Sequence, residues 1–132
     1  MLVIRQEQLD ALIKGTDEEF LEFLIEHVRE DFPEKAAERD EETLRTMVKG
    51  GIKRAESHGF SRAEDITAFI SIMFEVAPNF DEQPPIKTVL DDGNFPPEER
   101  IERLWSPLVT DEQWEAAENG YNEKAWFSEE NR

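Results

Sequence analysis

The sequence predicts an all-α protein, a small bundle of about five to seven helices. Three observations point there. Apolar residues recur at spacings of three and four along several segments. Hydroxyl residues stand three positions ahead of Glu or Gln at Thr16, Ser61 and Thr110, the pattern of a helix-opening capping box. No stretch of useful length alternates apolar and polar residues as a half-buried strand does. A chain of 132 residues, 38% hydrophobic and 10% aromatic, is long enough and apolar enough for one folded domain over residues 1–132.

Taken in order, Arg5 to Lys14 forms a short helix with Leu9, Leu12 and Ile13 on one side, stopped by Gly15. Thr16 caps the next, with Glu19 as its box partner and Asp17 and Glu18 at the positive helix end. Phe20, Leu21, Leu24, Ile25, Val28 and Phe32 then make an apolar stripe, and Pro33 ends that helix or opens a short turn. A third helix over Asp40–His58 gathers Leu44, Met47, Val48, Ile52 and Ala55 on one face. Gly50-Gly51 in its middle costs about 2 kcal/mol against alanine and marks a kink or a close helix contact. Gly59 stops it, and Ser61 with Glu64 is read as the next cap. The central helix, about residues 62–77, is apolar nearly all round and belongs in the middle of the bundle.

Pro78, Pro84, Pro85, Pro96 and Pro97 with Gly93 change the texture of the chain. Residues 78–97 read as a Pro- and Gly-containing connector with one helical turn at Ile86–Leu90, dividing a helical core (1–77) from C-terminal helices and tail (98–132). Pro97 suits the first position of a helix carrying Ile101, Leu104 and Trp105. Thr110 with Gln113 opens a last helix around Trp114, which stops near Gly120.

The formal charge is −17, from 32 acidic against 15 basic residues. Phosphates would be repelled, which argues against direct binding of nucleic acid or an anionic membrane. No apolar run approaches the roughly 20 residues of a membrane span. The opening Met1–Glu7 has an early charge and no basic n-region, so no signal peptide is expected and the protein is expected in the cytoplasm. Charge is uneven: residues 43–62 hold five bases and one acid, whereas residues 63–132 hold 17 acids and five bases. Arg45, Lys49 and Lys53 recur every four residues on one helix face, either a solvated, paired face or a docking stripe for an acidic partner.

Chemistry-bearing patterns are sparse. There is no cysteine, no H-E-x-x-H, no G-x-S-x-G, no P-loop and no G-x-G-x-x-G. Asp91-Asp92-Gly93-Asn94 lacks the order of a calcium loop and reads as a turn. His27 sits in an amphipathic helix and His58 at a helix end, where a cation favours the dipole; both read as structural. No catalysis, metal or cofactor is expected. The aromatic residues Trp105, Trp114, Trp126 and Phe127, all within the last 28 residues, are candidates for a partner surface beside the basic stripe, or for packing on the domain's own core.

The stretch Val48–Phe60, with Gly50-Gly51, His58 and Gly59, is followed by Ala63–Phe74 and by Pro78-Asn79-Phe80-Asp81. With the opening Ile4-Arg5-x-Glu7-Gln8 and Phe32-Pro33, this pattern resembles small helical proteins encoded in bacterial gene clusters beside type VI secretion effectors and other polymorphic toxins. The resemblance spans about residues 1–104; the Trp-bearing tail after Pro107 departs from it. It implies an effector-loading adaptor or co-chaperone whose partner is a secreted effector, its chaperone or a toxin, and it carries no catalytic residues. Two other readings stand beside it. An immunity protein would use its acidity to block a basic toxin site. A DNA mimic would need carboxylates on one ordered surface, and here they interleave with bases up to about residue 62.

Overall fold

The computed structural model describes residues 17–127, and everything regular in it is helical. Seven α-helices follow one another: α1 (Asp17–Asp31), α2 (Pro33–Ala37), α3 (Glu41–Ser57), α4 (Ala63–Glu75), α5 (Pro84–Leu90), α6 (Pro97–Arg103) and α7 (Asp111–Asn119). Two 3-10 turns, Phe80–Glu82 and Glu123–Trp126, complete the described residues. The expected helix at Arg5–Lys14 and the cap at Thr16 lie outside them.

Most boundaries follow local chemistry. Pro33 both ends α1 and opens α2. The Asp40 carboxylate accepts the Thr43 amide at 2.7 Å and caps α3, while His58 closes that helix and Gly59 turns away at φ +91°. Thr110 and Gln113 form the full reciprocal box at the start of α7. Ser61 does not cap α4. Arg62 occupies that position without a side-chain cap, and the first turn relies on Glu64 and Asp65 at the positive end of the dipole. The Ser61–Glu64 spacing matches a capping box, but the helix begins at Ala63, one residue too late for Ser61 to cap it.

α4 is the axis of the bundle, touching α1, α3 and α6. Ile66, Phe69, Ile70, Ile72, Met73 and Phe74 are all buried. Its hydroxyls are satisfied within the helix: Thr67 Oγ1 donates to the Ala63 carbonyl at 2.7 Å and Ser71 Oγ to the Thr67 carbonyl at 2.9 Å. The glycine pair of α3 serves two close approaches. A Cβ on Gly51 would lie 2.9 Å from Ile70 Cγ1, so the missing side chain lets α3 and α4 meet. A Cβ on Gly50 would lie 2.6 Å from the Trp126 carbonyl oxygen, so the C-terminal 3-10 turn closes against the same helix.

The segment 78–97 is more than a connector. Phe80, Ile86 and Leu90 are fully buried, and Ile101, Leu104, Val109, Ala117 and Trp126 join the same core. Pro84 and Pro85 fill the first helical positions, where a proline lacks nothing, and Ile86, Val89 and Leu90 then face inward at helical spacing. Composition alone marked a linker, while the apolar spacing inside it marked a helix.

Trp126 anchors the C-terminal turn. It is 2% exposed, its ring lies 4.5 Å from that of Phe74, and its indole N–H donates to the Tyr121 hydroxyl at 3.1 Å. Phe127, by contrast, is 41% exposed. Trp126→Ala is expected to lower stability by about 3 kcal/mol. Gly50→Ala should release the same turn despite the better helix former, because the clash is with backbone. In both variants, limited proteolysis should cut after Gly120 before the rest of the domain yields; equal resistance to wild type would remove Trp126 as the anchor.

Candidate functional site

The three tryptophans have separate fates. Trp126 is core. Trp105 and Trp114 stack on each other, with ring centres 5.3 Å apart and planes inclined by 16°. Trp114 leans inward toward Phe80 at 6.3 Å, whereas Trp105 is 62% exposed. The turn after α6 creates this arrangement: Leu104 drops into the core, and Trp105, next in the chain, is turned outward. Trp105, Leu108, Tyr121 and Phe127 are the large apolar residues left exposed among the described residues, and all follow α6.

The basic stripe is divided. Arg45 binds the Glu18 carboxylate at 2.9 Å and also Glu22, with Glu41 at 3.8 Å, so it ties α1 to α3. Lys49 and Lys53 are exposed and have no carboxylate partner among the described residues. The stripe is one structural ion-pair centre plus two solvated lysines.

A second cluster is internal, and no sequence motif marks it. Arg54, on the face of α3 that meets the first 3-10 turn, donates to both Asp81 oxygens through Nε, at 3.0 and 2.9 Å. Its Nη2 reaches Asp81 at 2.8 Å and Glu82 at 2.9 Å. One turn later, His58 Nε2 meets Asp81 at 2.7 Å and Nδ1 meets Asp91 at 2.8 Å, and Lys87 closes on Asp91 at 2.9 Å. The network pins the 3-10 turn and the end of α5 to the C-terminal half of α3.

Burial alone would lower the His58 pKa, but the hydrogen bonds and charges of Asp81 and Asp91 outweigh it and hold the imidazolium above its ordinary value. Burial likewise pushes Asp81 up, and the bonds from His58 and Arg54 reverse this and set it below the usual carboxylate range. For Asp91 burial is again reversed, by Lys87 and His58.

No family model, curated protein or solved structure matches the chain.

When protonated, His58 gives both ring N–H groups to Asp81 and Asp91 and has no lone pair left to take a proton or bind a metal. His27, Ser71 and Asp31 have the composition of a hydrolytic triad without its geometry. Ser71 spends its proton on the Thr67 carbonyl, so its hydroxyl accepts from His27 Nε2 at 2.9 Å. Asp31 approaches that same nitrogen, at 3.8 Å, rather than Nδ1. Burial lowers the His27 pKa, so the ring is neutral at pH 7. No group of three or more His, Asp or Glu side chains among the described residues is placed to hold a metal ion.

His58 gives the fold a pH dependence of definite sign. Its folded pKa is raised, so its stabilisation is complete below the unfolded value of about 6.5 and is lost as pH rises through the folded value. The difference in melting temperature between wild type and His58→Gln should be largest near about pH 6 and shrink toward about pH 9. A difference that grows with pH would mean that the imidazolium is not what the two carboxylates hold.

Proposed function

We propose that the protein works by binding another protein and not by catalysis, as a cytoplasmic adaptor or co-chaperone for a secreted bacterial effector or that effector's chaperone in a type VI secretion setting. The observation that carries protein binding is Trp105, 62% exposed on a stacked tryptophan pair and the most exposed large apolar residue among those described. Large rigid aromatics left open are the side chains that dominate protein interfaces. The adaptor role draws on the resemblance carried by Val48–Phe60, Ala63–Phe74 and the flanking motifs. A DNA mimic is disfavoured because acids of α1 and α3 are neutralised by Arg29 and Arg45. No helix among the described residues is long and apolar enough to cross a membrane, which fits a partner met in solution.

The test is co-expression with the products of neighbouring genes. An adaptor co-purifies with the effector or its chaperone, is needed for delivery, and leaves toxicity intact. Rescue of growth together with inhibition of the purified toxin would replace this reading with immunity. Turnover of a substrate by the purified protein, abolished in His27→Ala or His58→Ala, would overturn the non-catalytic reading altogether.

A further inference from the structure

We infer that the Trp105–Trp114 face takes a basic, partly apolar segment of the partner, with an arginine or lysine laid on the open face of the Trp105 indole. This rests on the protein-binding reading above and adds the chemistry of what is bound.

The stack covers one side of Trp105 and leaves the residue largely in water, and Leu108, three residues on, is exposed as well. Carboxylates surround this apolar ledge in sequence and along the helices. Glu102 lies one turn before Trp105, whose amide is bonded to the Glu102 carbonyl at 3.1 Å. Asp111 and Glu118 lie three before and four after Trp114, on the same face of α7. All three are exposed, and none has a basic partner among the described residues.

The two bases of α6 are committed elsewhere. Arg100 donates to the Phe95 carbonyl at 2.8 Å and toward the His58 carbonyl at 3.4 Å. Arg103 lies 3.8 Å over the Phe95 ring and within 3.8 Å of Asp92. From Trp105 to Phe127 the chain carries five acids and one lysine. The ledge thus combines an indole face, the best aromatic partner for a cation, with exposed carboxylates about one helical turn away along the chain that have no basic partner among the described residues. An acidic or neutral apolar segment would leave those carboxylates uncompensated, whereas a basic one pairs with them and stacks.

The experiment is calorimetric titration of the full chain at about 0.15 M salt with two synthetic helical peptides of one design. One carries arginines and leucines, and the other has glutamate at every arginine position. Four proteins are compared: wild type, Trp105→Ala, the triple variant Glu102→Gln/Asp111→Asn/Glu118→Gln, and a control triple Glu34→Gln/Glu38→Gln/Glu56→Gln with the same change in charge. The basic peptide should bind wild type and the control triple alike, and bind Trp105→Ala and the first triple about tenfold more weakly. The acidic peptide should not bind. Equal weakening by both triples would reduce the attraction to net charge and overturn the assignment, as would undiminished binding to Trp105→Ala. Should a neighbouring gene product co-purify equally with wild type, Trp105→Ala and the first triple, the protein-binding reading would stand and this surface would fall.

Discussion

Ile70→Asp is expected to abolish the native fold. Ile70 is fully buried at the crossing of α3 and α4, where Gly51 has given up its side chain to admit it. A carboxylate there has no cation within the apolar crossing. It must either ionise unpaired or hold a proton at the expense of several kcal/mol. Domains of this size are stable by only about 5–15 kcal/mol, so one such defect, with the lost packing, consumes most of the margin. Circular dichroism should show loss of the cooperative melt and most of the helical signal at 25 °C. A variant that melts like wild type would place Ile70 outside the core and α4 outside the centre of the bundle.

The second large effect is expected at Asp81. This carboxylate is 5% exposed and accepts from both Arg54 and His58. Asp81→Ala leaves the Arg54 guanidinium with Glu82 as its remaining carboxylate in the network and takes one of two partners from His58. Breaking a buried ion pair from one side costs about 3–5 kcal/mol. Because Asp81 is held below the usual carboxylate range, the stability it supplies is present above its unfolded pKa of about 3.9 and is lost as pH falls through the folded value. Urea unfolding should therefore show wild type and Asp81→Ala far apart at neutral pH and converging in strong acid. A gap that persists below about pH 2 would assign the effect to packing instead of charge.

Features written in a few adjacent residues were legible before the structure. Thr110 and Gln113 announce their box, Pro97 announces a helix start, Pro33 a helix end or a new turn, and Gly50-Gly51 a kink or a close contact. What was not legible is carried by distance along the chain. Arg54 and Asp81 are 27 residues apart, and His58 and Asp91 are 33 apart; in a chain with 32 acids no spacing rule picks those two. The i, i+4 relation of Arg54 and His58 placed both on one face of α3, and a partner opposite was the available signal. The tryptophans teach the same lesson. Trp105 and Trp126 are alike in composition and neighbourhood, yet one is open to water and the other seals against Phe74 and Gly50. Only the turn after α6 and the return of the chain to α3 separate them.

The most direct test of the account is the affinity of the Trp105→Ala protein for the effector or chaperone that co-purifies with wild type, measured by titration calorimetry beside a thermal melt. Trp105 is exposed and adds little to the core, so the melting temperature should stay close to that of wild type while affinity falls by about tenfold or more. Unchanged affinity, or a fall in melting temperature large enough to explain the loss, would contradict the claim that this tryptophan is where the protein meets its partner.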